Sequence, residues 1–164
     1  DCFFRGTKAR GEKMAFTLGV DVPFTSLCPC SKEISKYGAH NQRSVCRTAV
    51  RFQEGTECIF IEDLAALIEK QGSSPIYPLL KREDEKYVTE AAYENPKFVE
   101  DILRDTVLAL RSLPGIGDYT AASPGSRLNV RITSPSTTTM RLRLMKKRSS
   151  EEKAARQLDW SFHE

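Results

Sequence analysis

Two runs of two-residue alternation flank a polar stretch that carries two thiols and a histidine. That arrangement sets the tightest limit on what this chain can fold into. Met14, Phe16, Leu18, Val20 and Val22 alternate with smaller or polar residues, and Cys46, Thr48, Val50 and Phe52 alternate with Val45, Arg47, Ala49 and Arg51. A period of two puts every second side chain on the same face, so each run predicts a half-buried strand. Downstream, Glu54-Gly55-Thr56-Glu57 predicts a turn and Cys58-Ile59-Phe60-Ile61 a short extension. Leu64, Leu67 and Ile68 then follow helical spacing, and Gly72 stops that helix. Asp84 to Tyr93 predicts another helix. Asn95 is expected to cap a further one, with Pro96 at its first position and a stripe of Phe98, Val99, Ile102, Leu103, Val107 and Leu110. Strand, strand, helix, helix is an α+β order.

The chain has 164 residues, enough for one domain or one domain and a tail. No apolar run reaches the roughly 20 residues a bilayer span requires, so no membrane partner is expected. A net charge of +3 is too weak to argue for nucleic acid. Asp1-Cys2-Phe3-Phe4-Arg5 lacks both a methionine and a signal-peptide core, and is expected to be an internal start. Five cysteines without framework spacing point to a reducing, cytoplasmic compartment, with any special cysteine catalytic or metal-binding.

Charge and texture change along the chain. Residues 1–114 hold 16 basic and 17 acidic side chains, and residues 115–164 hold 9 and 5. Gly115 to Ser126 is rich in small residues, and Thr133-Ser134-Pro135-Ser136-Thr137-Thr138-Thr139 shows no obvious period. A boundary is therefore expected near Leu113-Pro114-Gly115. The segment 1–114 would be the folded domain and 115–164 a low-complexity basic tail too poor in apolar surface to order itself.

Chemistry concentrates between the two strands, in Ser26-Leu27-Cys28-Pro29-Cys30-Ser31-Lys32-Glu33 through Gly38-Ala39-His40-Asn41-Gln42-Arg43-Ser44. Thiolate and imidazole are the donors that borderline divalent ions prefer. A catalytic ion needs about three protein ligands and an open position, so a carboxylate would have to come from elsewhere, and Lys81-Arg82-Glu83-Asp84-Glu85-Lys86 offers several. A bland reading stands beside this one. Cys28 and Cys30 could be small buried hydrophobes, His40 a satisfied loop histidine, and the charged run a solvated face. Cys2, Cys46 and Cys58 read as structural.

Thr25-Ser26-Leu27-Cys28-Pro29-Cys30-Ser31-Lys32 with Tyr37-Gly38-Ala39-His40-Asn41-Gln42-Arg43-Ser44 resembles the type IB GTP cyclohydrolase I family. Pro75-Ile76-Tyr77-Pro78-Leu79-Leu80-Lys81-Arg82, Asp84-Glu85-Lys86-Tyr87-Val88-Thr89-Glu90 and Ala92-Tyr93-Glu94-Asn95-Pro96-Lys97-Phe98-Val99-Glu100-Asp101 agree in order and distance. The resemblance covers roughly residues 13–112. It implies the tunnelling fold, strand-strand-helix-helix-strand-strand units that associate into barrels, with this chain holding mainly the second of two units. It also implies metal-assisted hydrolytic opening of the imidazole ring of GTP, with loss of formate, to 7,8-dihydroneopterin triphosphate on the route to folates. By position, Cys28 and His40 become metal ligands with catalytic roles, and Glu85 the carboxylate of the metal shell. Glu100 becomes a catalytic residue that holds the guanine edge, and Lys32, Arg43, Lys81 and Arg82 become triphosphate contacts. Zn, Mn and Fe all suit such donors. Barrel assembly implies a homo-oligomer.

The tail departs from the family pattern. Family members close with a strand pair ending in a motif of the form ESIHNHDA, and residues 115–164 contain none, so the last strand pair is expected to be lost or replaced by an irregular tail. Synonymous codons for Ile132 to Arg141 can spell Y-E-S-I-H-N-H-D-A in a shifted frame, which makes a frameshift after about Pro114 a working expectation. Two further readings remain open. One is an inactive remnant that binds only metal or a partner subunit. The other is a deazaguanine nitrile reductase on the same fold, with cysteine as covalent nucleophile; the histidine block after Cys28-Pro29-Cys30 suits metal ligation better.

Overall fold

A computed structural model describes residues 1–8, 10–11, 14–53, 59–113, 127–134 and 137–145. Its elements run β1 (Cys2–Thr7), β2 (Ala15–Leu27), α1 (Pro29–Ile34), β3 (Asn41–Gln53), α2 (Ile61–Glu69), β4 (Ser74–Pro75), α3 (Arg82–Glu94), α4 (Val99–Arg111), β5 (Arg127–Ser134) and β6 (Thr137–Met145). The strands form an antiparallel sheet in the order β1-β2-β3-β5-β6, with the short β4 added to β2. The mixed α+β class expected from the sequence holds.

The sheet is built on the two alternating runs. β2 and β3 are 13 residues each and pair without interruption from Ala15 opposite Gln53 to Leu27 opposite Asn41. This register sets Leu18 opposite Val50, Val20 opposite Thr48, Val22 opposite Cys46 and Phe24 opposite Ser44, all buried. A slip of one residue would turn that whole set to the other face, so burial itself fixes the register. Arg47 and Asp21, opposite each other on the reverse face, form an exposed ion pair at 2.8 Å. The buried face is covered by Leu64 and Ile68 of α2 and by Val99, Ile102, Val107 and Leu110 of α4, which join the strand residues in one core. Full burial of a side chain of this kind is worth about 1.5–3 kcal/mol, so the helical stripes hold the layers together.

Several local expectations need correction. β1 and α1 were not anticipated, and Ile59-Phe60 is not a strand, since Phe60 is the N-cap of α2. Asn95 is the C-cap of α3, and α4 begins later, at Val99 after the N-cap Phe98. The reason is competition for backbone groups: the Lys97 amide donates to the carbonyl of Leu27 at 3.1 Å, which holds the chain after Pro96 against the end of β2. The expected turn at 54–57 and Pro114 onward to residue 126 lie outside the described residues.

The expected loss of the last strand pair does not hold. β5 pairs with the free edge of β3 from Val45 opposite Thr133 to Val50 opposite Leu128, and β6 pairs with β5. Val130 and Ile132 are fully buried in the core. Leu128, Val130 and Ile132 alternate with Asn129 and Arg131, a period of two that the neighbouring Thr-rich run obscured.

Candidate functional site

The chemistry-bearing segment springs from the end of the β2/β3 pair. Beyond Leu27 and Asn41, the last paired positions, the chain leaves the sheet at Cys28, makes the short helix α1, and returns at His40. Pro29 stands at the first position of α1, where its missing N–H costs nothing, and Cys28 is the N-cap. The return passes Gly38 at φ +137°, a conformation that L side chains rarely adopt.

Three hydrogen bonds tie the two ends of this excursion together. The Cys28 amide donates to the His40 carbonyl at 3.2 Å. The Ser31 hydroxyl donates to the Cys28 carbonyl at 3.0 Å, and the His40 amide donates to the Ser31 hydroxyl oxygen at 3.1 Å. Cys28 and His40, far apart along the loop, are thus neighbours at one strand end. The Cys28 side chain is half-buried and the His40 side chain exposed.

The strand that carries Cys28 is itself clamped. The Ser73 amide donates to the Thr25 carbonyl at 2.9 Å, and the Leu27 amide donates to the Ser73 hydroxyl at 3.0 Å. The Thr25 hydroxyl donates to the Ser74 carbonyl at 3.0 Å, and the buried Ser26 and Ser44 hydroxyls share a bond at 3.1 Å. Asn95 extends this clamp to the helices, its side-chain amide donating to the carbonyls of Gly72 at 3.1 Å and Ser73 at 3.3 Å.

The remaining predicted site residues are distributed around this end. Glu100 is half-buried in the first turn of α4, three residues after Lys97, which is bonded to Leu27. Glu85 is exposed in the first turn of α3, and Arg82 opens that helix. Lys81 is its N-cap, with a backbone amide that donates to Asp84 Oδ2 at 3.0 Å. Arg43 is exposed in β3 opposite Thr25. Lys32 is engaged elsewhere: its Nζ donates to the Tyr93 carbonyl at 2.5 Å and lies 4.1 Å from the centroid of the Tyr93 ring. An open cleft of about 490 Å³ lies between the α1–β3 loop and α3, lined by Lys36, Tyr37, Glu90, Tyr93 and Glu94, none of them a predicted site residue.

Thiol and imidazole fit a borderline divalent ion in kind, and the fold brings their two residues together. Among the described residues, however, no group of three or more His, Cys, Asp or Glu side chains is gathered where it could hold a metal ion. Cys2, Cys28, Cys30 and Cys46 are free thiols. Cys46 belongs to the core: its thiol is pushed up to about 11, chiefly by burial, with the hydrogen bond shared with Thr48 opposing the rise and the nearby Asp21 charge adding to it. It is not a reactive group. Ser31, Ser73 and Lys97 support the site without a sequence signal of that role, and Asn95, expected as a helix N-cap, serves the clamp instead. The Gly72-Ser73-Ser74-Pro75 stretch after a helix was the available signal for part of that clamp.

Fold and loop together define a mixed α+β domain that presents a cysteine and a histidine side by side at one strand end. The family model for type I GTP cyclohydrolase folE2 matches residues 1–140. Curated relatives named GTP cyclohydrolase FolE2 include that of Geobacter sulfurreducens, 62% identical over 109 residues, which is 66% of this chain and 40% of the relative. That of Geobacter metallireducens is 60% identical over 109 residues, covering the same shares. That of Dictyoglomus thermophilum is 56% identical over 108 residues, 66% of this chain and 41% of the relative. The chain belongs to the type I GTP cyclohydrolase FolE2 family, a designation that replaces the type IB label drawn from the motifs. It spans about two fifths of the length of the curated relatives it matches. No helix among the described residues is long and apolar enough to cross a membrane.

Proposed function

We propose that this chain is the ligand-bearing part of a GTP cyclohydrolase I, which opens the guanine imidazole ring of GTP with loss of formate to give 7,8-dihydroneopterin triphosphate for folate synthesis. One observation carries the reading: in a member of the FolE2 family, the backbones of Cys28 and His40 are bonded to each other at the end of the β2/β3 pair. Cys28 and His40 would hold a divalent ion (Zn, Mn or Fe), with Glu85 completing its shell. Such an ion, when bound, supplies a water of lowered pKa for attack on C8 of guanine. Glu100 would accept two parallel hydrogen bonds from the guanine edge, N1–H and the 2-amino group, and so orient the ring. Arg43, Lys81 and Arg82 are the cations open to a triphosphate, whereas Lys32 would first have to leave Tyr93.

Incubation with GTP and Mn, Fe or Zn, followed by oxidation, should give pterin fluorescence, and Cys28→Ala should abolish it together with metal binding. No fluorescence from a folded, metal-loaded chain would favour the inactive remnant. Unchanged metal content in Cys28→Ala would overturn the ligand assignment.

The same proposal includes the tunnelling fold, a cytoplasmic location and barrel-like self-association. The antiparallel sheet with helices on one face and the exposed outer strand β1 support the fold and the association. The frameshift stays a proposal about the reading frame after about Pro114. It is supported by the absence of an ESIHNHDA-like motif from residues 115–164, and opposed by the pairing of β5 with β3. Sequencing the gene through codons 110–150 decides it: a single verified frame with no hidden motif removes the proposal.

A further inference from the structure

We propose that Ser31 is a positioning residue for the Cys28–His40 pair, its hydroxyl acting as the strut that fixes how the two backbones face each other. The inference rests on the functional reading for its purpose and on hydrogen-bond geometry for its content. A serine bonding back three residues to a carbonyl, as Ser31 does to Cys28, is common in the first turn of a helix and by itself says little. The second bond is different in kind. The same oxygen accepts the amide of His40, nine residues away and on the far side of the Gly38 turn.

What the two bonds hold follows from the backbone. The Cys28 carbonyl is held twice, by the Ser31 hydroxyl and by the Lys32 amide at 3.2 Å, whereas the His40 amide is bonded to Ser31. Pinning that amide fixes the plane that precedes His40, and so φ at residue 40 and the direction in which its side chain leaves the chain. The β2/β3 ladder stops one residue short on each side, at Leu27 and Asn41, and does not set this angle. Without Ser31, one amide-to-carbonyl bond of 3.2 Å would be left between the two residues. A hydrogen bond at this half-exposed place adds little to stability, so its value lies in orientation. Supporting groups around metal ligands typically matter about 10–100-fold in affinity when removed.

The test compares Ser31→Thr, which keeps the hydroxyl, with Ser31→Val, which replaces it by a methyl in nearly the same volume. Ser31→Ala serves as a second deletion, and Ser35→Ala as a control in the same loop. The metal-free readout is amide hydrogen exchange at His40, with Val20 and Thr48, opposite each other in the β2/β3 ladder, reporting that the sheet is intact. Exchange at His40 should rise about tenfold or more in Ser31→Val and Ser31→Ala, and stay near wild type in Ser31→Thr and Ser35→Ala. The second readout is titration with Co(II) alone, followed by its thiolate charge-transfer absorption. Affinity should fall about 10–100-fold in Ser31→Val and recover in Ser31→Thr.

If the wild-type chain gives no thiolate–cobalt band, the metal role of Cys28 fails, and His40 exchange alone judges Ser31. Unchanged His40 exchange in Ser31→Val, or unchanged cobalt affinity in a chain that binds cobalt, overturns the proposal.

Discussion

Gly38 and Gly72 are both fixed as glycine, for unrelated reasons. Gly38 has open space around it and is constrained only by its φ of +137°. Gly38→Ala should therefore cost about 1–3 kcal/mol through backbone strain alone, read as a lowered urea midpoint. Gly72 is constrained by a neighbour. A Cβ there would stand 2.9 Å from Cβ of Phe24, a fully buried side chain that cannot move aside, so Gly72→Ala should cost about 1–3 kcal/mol by overpacking. Cys46 makes a prediction about pH. Its thiol rises from an ordinary 9.0 to about 11 because the folded core disfavours the thiolate. Unfolding therefore releases a proton between those values. The stabilisation is complete below pH 9 and declines as pH rises toward 11, by about 2–3 kcal/mol. Denaturant midpoints against pH should show this decline, and Cys46→Ala should lack that part of it. Mass spectrometry after alkylation of the native chain should find the exposed Cys30 modified and Cys46 spared until denaturant is added.

Among the elements, those with a strong period were legible. The alternation in Leu18-Val20-Val22 and Cys46-Thr48-Val50 survives as β2 and β3, and the stripe Val99, Ile102, Val107, Leu110 as the buried face of α4. Such elements are dictated by burial of one face, which the sequence encodes directly. Elements held by long-range bonds were not legible. β1 has no buried side chain and exists because β2 offers it an edge. Asn95 looked like an N-cap because its residue type suits one, but its side chain serves Gly72 and Ser73 across the fold. Asn95→Ala should cost about 1–3 kcal/mol in chemical denaturation. Asn95→Asp should not restore the loss, since a carboxylate cannot donate to two carbonyls. The same logic applies to the site. The proximity of Cys28 to His40 could be anticipated from a loop between paired strands, whereas Ser31 and Lys97 are recognised only from their partners.

For the molecule as a whole, the sheet has a centre and two unequal halves. β1 and β2 precede the helices, while β5 and β6 complete the other side of β3 and bring Val130 and Ile132 into the core. Truncation after Leu113 should uncover the edge of β3 and part of that core. Concentration-dependent sedimentation and loss of cooperative unfolding are the expected outcomes, and a monomeric, cooperatively folding truncation would show β5 to be dispensable. One bond marks the span of this closure: the Ser134 hydroxyl donates to Gln42 Oε1 at 3.0 Å, across 92 positions of chain. During translation, the ribosome releases Gln42 long before it makes Ser134. The growing polypeptide must carry β3 half-covered through the synthesis of three helices, an interval in which chaperones would have their longest access to it.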